Sequence, residues 1–101
     1  MKVIVDLTIV PIGVGVSLSK YVAACEDILN RSGLKTALHA NGTNIEGEWD
    51  VVFAAVKVCH EKVHEMGAPR IHTNIKLGTR NDREQTLEDK INSVVEKQRN
   101  S

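Results

Sequence analysis

The apolar residues of this chain alternate in some segments and recur at helical spacing in others, and the order of these segments allows few folds. Alternation and β-branched residues predict strands over Lys2–Val10 and Arg70–Leu77. Between these strands, helical spacing predicts one helix that ends at Ser32-Gly33 and a second that starts at Asp50 as its N-cap and ends before Gly67. Strands and helices therefore alternate along most of the chain.

Two shorter segments between the helices predict a hairpin. Leu34–Ala40 and Thr43–Gly47 are partly apolar, and Asn41-Gly42 between them is typical of a tight turn. Beyond the last strand, Asn81 or Asp82 is the predicted cap of a third helix. The narrow apolar stripe of this helix consists of Leu87, Ile91, Val94 and Val95.

The resulting order, β-α-β-β-α-β-α, predicts an α+β protein with a single domain over residues 1–101. Two β-α-β units with right-handed crossovers place strands one and three at the centre of the sheet, with the first two helices on one face. This arrangement is the ferredoxin-like βαββαβ sandwich, here with an extra C-terminal helix. The other face of the sheet stays open, so its side chains need an explanation of their own.

The charge balance limits the partners of the chain. Thirteen Lys and Arg residues balance 13 Asp and Glu residues, so no basic surface for nucleic acid is expected, and neutrality favours self-association. The longest nearly uncharged stretch, Leu7–Ser19, contains Pro11, Gly13 and Gly15 and is shorter than the roughly 20 residues of a membrane helix. Asp6 interrupts the apolar start, so no secretory signal is predicted and a cytoplasmic location is expected.

The open face of the predicted sheet carries both apolar and polar side chains. Alternation places Ile4 and Val10 outward together with polar residues from all four strands. The outward polar residues that we select as ligand-binding candidates are Asp6, Thr8, His39, Glu46, His72 and Asn74. A solvated face would explain these polar residues alone. The apolar residues, with the stripe of the third helix, instead favour packing against another copy of the chain, with a polar pocket in between.

A metalloprotease-like motif lies on the second helix. His60, Glu61 and His64 match H-E-x-x-H, in which two histidines one helical turn apart bind zinc and the glutamate acts as general base. The apolar stripe of this helix is centred near Val52 and Val63, which places Glu61 on the solvent side. A catalytic zinc also needs a third ligand and a cleft, so a pair of surface histidines is the favoured interpretation.

Two other features have a structural interpretation and a functional alternative. Cys25 and Cys59 lie on apolar stripes and could form one disulfide, but we expect buried thiols in the core. Gly13-Val14-Gly15 precedes Ser17 and Ser19, either of which can cap the first helix. This glycine-containing loop is interpreted as a flexible turn, with an anion cradle as the alternative.

Three motifs resemble those of a known family. The first motif ends strand one and consists of Val10-Pro11-Ile12-Gly13. The second lies at the hairpin and consists of Gly42-Thr43-Asn44-Ile45-Glu46-Gly47. The third includes most of strand four and consists of His72-Thr73-Asn74-Ile75-Lys76-Leu77-Gly78-Thr79-Arg80 with Asp82. In this order and spacing they resemble the small thiamine-binding-like proteins of the YkoF-like superfamily, over nearly the whole chain. The resemblance implies a ferredoxin-like fold, dimers that join sheets and assemble into tetramers, no catalysis, and binding of thiamine or its hydroxymethylpyrimidine moiety.

The implied ligand suits the open sheet face. An aminopyrimidine has hydrogen-bond donors and acceptors that carboxylate, amide, hydroxyl and imidazole groups can match, and the six selected residues offer these groups. We therefore expect a non-enzymatic, homo-oligomeric binding protein without a cofactor, whose ligand lies at the sheet face or a subunit interface. The alternatives are an interaction or scaffold protein without a small ligand and, last, a zinc-dependent hydrolase that uses His60, Glu61 and His64.

Overall fold

Four strands and three helices follow one another in the predicted order. The computed structural model describes residues 1–100. The strands are β1 (Lys2–Ile12), β2 (Lys35–His39), β3 (Gly42–Glu48) and β4 (Arg70–Gly78), and the helices are α1 (Ser19–Arg31), α2 (Trp49–Glu65) and α3 (Leu87–Arg99). No helix within residues 1–100 is both long enough and apolar enough to cross a membrane.

The four strands form one antiparallel sheet in the order β2-β3-β1-β4. β1 and β3 are the central strands, as predicted, because each has a neighbour on both sides. α1 and α2 pack against each other, and their apolar side chains cover one face of the sheet. The α+β, ferredoxin-like arrangement with an extra C-terminal helix is therefore confirmed.

Branched aliphatic side chains fill the layer between the sheet and the two helices. Val3, Val5 and Ile45 point inward from the central strands, Leu29 comes from α1 and Val63 from α2, and each is at most 1% exposed. Burial of such side chains contributes roughly 25 cal/mol per Å² of apolar surface removed from water. Alternation on the strands and helical spacing on the helices thus identified the core correctly.

The hairpin turn lies one residue earlier than predicted. β3 already begins at Gly42, which pairs with His39, so Ala40-Asn41 forms the turn. A Cβ on Gly42 would lie 2.7 Å from the carbonyl oxygen of Leu7 and 2.8 Å from the hydroxyl oxygen of Thr8. The predicted turn was wrong because this glycine serves the close approach of β3 to β1, and not a left-handed turn conformation.

The first two helices begin without the predicted side-chain caps. α1 follows Leu18 and α2 follows Glu48, and no side-chain hydrogen bond is made at either position. The backbone amide of Trp49 donates to the carbonyl oxygen of Met1 at 2.8 Å, so α2 starts directly at the end of β3. The predicted caps that prove wrong are Ser17, Ser19 and Asp50.

The third helix begins later than predicted. Its N-cap is Thr86, whose hydroxyl accepts a hydrogen bond from the amide of Asp89 at 3.1 Å, while the Asp89 carboxylate accepts from the amide of Thr86 at 3.0 Å. Asn81 and Asp82 were wrong as caps. Asp82 instead accepts hydrogen bonds from Arg80 at 2.5 and 2.8 Å, which lower its pKa to about 2.

α3 starts on the sheet face opposite α1 and α2. Leu87, its first residue, is buried, and its amide donates to the outward-facing Glu46 of β3. The rest of the apolar stripe is exposed, by 56% at Ile91, 59% at Val94 and 36% at Val95. The stripe therefore has no partner within residues 1–100 beyond its first residue.

Candidate functional site

A cavity of about 640 Å³ opens between the start of α1, the second half of β1 and the β2–β3 hairpin. We term it the hairpin cavity. Its apolar wall includes Leu7, Ile9, Leu18, Tyr21, Leu29 and Leu38. A concave site with an apolar wall and a few polar groups is the usual form of a small-molecule pocket. The position of the polar groups in this wall therefore defines what the cavity can bind.

One polar pair lies in the wall of the hairpin cavity. The hydroxyl of Thr43 on β3 donates to Oε1 of Glu26 on α1. Thr43 is 5% exposed and stands opposite Leu7 in the β1–β3 register, so its side chain points toward the helices. The pair presents a carboxylate with spare acceptor capacity and a hydroxyl that can donate or accept. It can thus fix the orientation of a ring bound in the cavity.

Neither Thr43 nor Glu26 is among the residues selected from the sequence. The six predicted ligand residues belong to the sheet face away from the helices, whereas Thr43 precedes Ile45 by two residues and shares its inward face. This spacing is the signal that could have identified Thr43, because a buried hydroxyl requires a hydrogen-bond partner. Glu26 carries no such signal in the sequence, since polar residues commonly border the apolar stripe of a helix.

Three of the predicted ligand residues meet at the hairpin end of the open face. Nε2 of His39 lies 2.9 Å from Oδ1 of Asp6, and Nδ1 of His39 accepts from the amide of Asn41 at 3.3 Å. Because Nδ1 accepts, the neutral imidazole carries its hydrogen on Nε2 and donates it to Asp6. The hydroxyl of Thr8 donates to the carbonyl oxygen of Asn41 at 2.9 Å. Asp6, Thr8 and His39 are thus held together around the turn.

The contact between β2 and β1 depends on the glycine that lies between them. His39 pairs with Gly42 on β3, and a Cβ on Gly42 would lie 3.0 Å from Oδ1 of Asp6, the atom that His39 contacts. The absent side chain leaves room for His39 to reach across β3. Thr8 and His39 also line the hairpin cavity, and Asp6 holds the imidazole in place.

Glu46, another of the predicted ligand residues, is engaged by α3. It is 8% exposed, and its Oε1 accepts from the amide of Leu87 at 2.8 Å. Its Oε2 lies 3.9 Å from Nζ of Lys2 and 4.0 Å from Nζ of Lys35. Lys35 also donates to Glu88 at 2.6 Å, which raises the pKa of Lys35 and lowers the pKa of Glu88. These contacts fasten the start of α3 to the sheet.

The remaining two predicted ligand residues lie on β4. His72 stands opposite Val10, and Asn74 stands opposite Thr8, so both side chains share the open face with the residues described above. Both are exposed. The structure therefore gathers Asp6, Thr8 and His39 into one cluster and leaves His72 and Asn74 beside it on the edge strand.

The two histidines of the H-E-x-x-H motif are occupied by structural hydrogen bonds. Nε2 of His60 lies 2.6 Å from the hydroxyl of Thr73 on β4, and Nδ1 of His64 lies 2.8 Å from the carbonyl oxygen of Ala68. Burial, with the neighbouring His64, lowers the pKa of His60. Within residues 1–100 no three His, Cys, Asp or Glu side chains come together as a metal site. These contacts favour the interpretation of His60 and His64 as a pair of surface histidines, of which His60 is half-buried and His64 exposed.

Related sequences match nearly the whole chain. Residues 5–95 match the family described as thiamine-binding protein. A UPF0045 protein of Synechocystis is 62% identical over 94 residues, which cover 93% of this chain and 78% of that protein. A UPF0045 protein of Eremothecium gossypii is 45% identical over 96% of this chain and 92% of its own length.

Solved structures show the same fold. A hypothetical protein from Methanocaldococcus jannaschii, 34% identical, superposes with a TM-score of 0.88 over 94% of this chain and 97% of its own. A Thermotoga maritima protein assigned provisionally to thiamine biosynthesis or salvage gives a TM-score of 0.80 at 20% identity, over 93% of this chain and 99% of its own, a likeness of fold alone. On the match over residues 5–95 and these relatives, the chain belongs to the thiamine-binding protein family.

Proposed function

We propose that the protein binds thiamine, or its hydroxymethylpyrimidine moiety, in the hairpin cavity and does not convert it chemically. The observation that carries this proposal is the Glu26–Thr43 pair in an otherwise largely apolar wall. The amino group of an aminopyrimidine can donate to the Glu26 carboxylate, while the Thr43 hydroxyl can turn to donate to a ring nitrogen. Membership of the thiamine-binding family supports this class of ligand.

The rest of the wall suits the ring itself. Tyr21 is 4% exposed and lines the cavity, which provides an aromatic surface beside the pyrimidine. Thr8 and His39 line the same cavity and add polar contacts, with Asp6 as the residue that orients His39. In this proposal His72 and Asn74 stay predicted contacts at the open face, where a second copy of the chain would cover them, whereas the start of α3 already covers Glu46.

Calorimetric titration with thiamine and with hydroxymethylpyrimidine tests the proposed ligand and site. The Glu26→Gln variant keeps the shape of the side chain and removes its charge, and Glu61→Gln makes the same change on the solvent side of α2. Hydrogen bonds to charged groups contribute about 1.5–3 kcal/mol, so Glu26→Gln is expected to weaken binding roughly 10- to 100-fold. Glu61→Gln should bind like the original protein.

The outcomes separate the ligand from its location. If neither compound releases or absorbs heat at millimolar concentration, the proposed function is wrong. If both compounds bind and the two Gln variants behave alike, the ligand lies elsewhere, and the Asp6→Asn and His39→Gln variants then test the cluster on the open face. A Thr43→Val variant, which is matched in shape, should weaken binding in the same direction as Glu26→Gln if the pair acts as one unit.

We also propose that the protein assembles through the open face and α3, as a homodimer that pairs into a homotetramer. The exposed Ile91, Val94 and Val95 support this, because burial of an apolar stripe against a second copy of the chain removes apolar surface from water and stabilises the assembly. Such an assembly would function in the cytoplasm. Light scattering should show a smaller mass for the Val94→Asp variant than for the original protein, with Lys97→Asp as the control on the same helix.

The exposed stripe also favours the second candidate function, an interaction protein without a small ligand. The two candidates differ in one measurement. An oligomer that gives no heat with either compound would be an interaction or scaffold protein, whereas an oligomer with saturable binding supports the ligand-binding function. A monomer at micromolar concentration would contradict the proposed assembly, with or without ligand.

A further inference from the structure

The two cysteines of the chain face each other across the contact between α1 and α2. Sγ of Cys59 donates to the carbonyl oxygen of Cys25 at 3.8 Å, which brings the two residues together at the contact between α1 and α2. Cys59 is 0% exposed and Cys25 is 7% exposed. The sequence contains no other cysteine, so any thiol chemistry of this protein belongs to this pair.

The two thiols are not equivalent. Cys25 lines the hairpin cavity, whereas Cys59 lies behind it against α1. The neighbouring Cys59 side chain lowers the pKa of Cys25, whereas the Cys25 side chain and burial raise the pKa of Cys59. A thiolate is the nucleophilic form of cysteine. The residue that more readily forms a thiolate is thus the one that small molecules can reach through the cavity.

We propose that Cys25 is a redox-reactive thiol in the wall of the hairpin cavity and that Cys59 is its resolving partner. With a peroxide as the oxidant, the Cys25 thiolate attacks one peroxide oxygen, the O–O bond breaks, and Cys25 becomes a sulfenic acid. The second peroxide oxygen takes up the proton that the Cys25 thiol released and leaves as water or an alcohol. The Cys59 sulfur then attacks the Cys25 sulfur, its thiol proton goes to the departing hydroxyl, and one water is released. The product is a disulfide that links α1 to α2.

This chemistry would couple the oxidation state of the pair to the cavity. Cys25 directly precedes Glu26 on α1, so a covalent link at Cys25 constrains the helix turn that carries the proposed ligand carboxylate. A molecule bound in the cavity would in turn cover the approach to Cys25. This protection rests on the proposed function, whereas the disulfide itself does not.

Intact-mass spectrometry of the folded protein after treatment with hydrogen peroxide tests the proposal. The expected result is a loss of two hydrogen atoms per chain, a peptide that joins the segments of Cys25 and Cys59, and no covalent dimer. The Cys59→Ser variant should stop at a sulfenic acid that dimedone traps, and the Cys25→Ser variant should react at least about tenfold more slowly. Circular dichroism checks that each variant folds, and Cys→Ala versions replace any that does not.

Three results would overturn the proposal. The first is a folded protein that keeps both thiols under conditions in which the urea-unfolded chain is oxidised. The second is a disulfide between two chains instead of within one. The third is an equal rate for Cys25→Ser and Cys59→Ser, which would remove the assigned order of reaction. If oxidation proceeds as proposed and thiamine gives no protection, the thiol pair stands and only its link to the ligand fails.

Discussion

Replacing Glu46 with alanine tests how α3 is held on the open face of the sheet. The Glu46 carboxylate is nearly buried and accepts from the amide of Leu87 at 2.8 Å, and two lysine ammonium groups lie about 4 Å from it. Beyond Leu87 the apolar stripe of α3 is exposed. The docking of this helix therefore depends on the nearly buried Glu46 carboxylate, together with the buried Leu87 side chain and the exposed Lys35–Glu88 ion pair.

The size of the effect follows from these contacts. A hydrogen bond to a charged group contributes about 1.5–3 kcal/mol, and the two lysine pairs add little because they are long and partly exposed. Loss of this hydrogen bond raises the equilibrium for local detachment of α3 roughly 10- to 100-fold, since about 1.4 kcal/mol is a factor of ten. Glu46→Gln keeps an acceptor oxygen without the charge, so roughly half of the free energy should be lost.

Hydrogen exchange measured by mass spectrometry reports this detachment directly. The exchange rate of the α3 amides should increase in Glu46→Ala and increase less in Glu46→Gln. It should stay unchanged in Glu48→Ala, which removes an exposed carboxylate at the end of the same strand. The proteins are compared in the same oligomeric state. An unchanged exchange rate in α3 for both Glu46 variants would refute the reasoning. An exchange rate that rises in β1 as much as in α3 would also refute it, because this would indicate global destabilisation.

Three further predictions concern stability. Gly42→Ala places a methyl group 2.7 Å from a backbone oxygen and should lower the free energy of unfolding, measured by urea denaturation, by roughly 1–3 kcal/mol. An unchanged denaturation midpoint would contradict the close approach. Ile45→Ala leaves a cavity at a side chain that is 0% exposed and should lower the free energy of unfolding by about 2–5 kcal/mol in the same assay. A decrease of less than about 1 kcal/mol would contradict this prediction. Burial and His64 keep the pKa of His60 below 6.5, so just below that pH the unfolded chain binds a proton at His60 that the folded chain does not bind. The free energy of unfolding should therefore decrease as the pH falls from 6.5 toward the pKa of His60 in the folded chain. The His60→Gln variant should show a weaker dependence of this free energy on pH.

The fold could be predicted because each element carries its own periodicity. Alternation placed Val3 and Val5 inward, and the ferredoxin-like arrangement of two right-handed β-α-β units placed β1 at the centre of the sheet. The errors were local. The cap of α3 and the hairpin turn were misplaced because several Asn, Asp and Gly residues meet the same local rules, and only the neighbouring strand or turn selects among them.

The candidate site could be predicted only in part. The outward cluster of Asp6, Thr8 and His39 follows from strand alternation, which assigns each residue to a face without knowledge of its neighbours. The Glu26–Thr43 pair joins a helix to a strand 17 positions later in the chain, and that distance closes only when α1 packs on the sheet. No local pattern contains that information.

The sequence by itself determined the element order, the aliphatic core, the neutral charge balance and the family motifs, since each depends on residue type and short-range spacing. Tertiary structure decided which polar groups face a common space. It put Glu46 under the start of α3, Cys25 against Cys59, and Glu26 beside Thr43 in one cavity wall. The physical reason is that a cavity and its hydrogen bonds arise from the packing of separate elements, which brings together residues that are far apart in the chain.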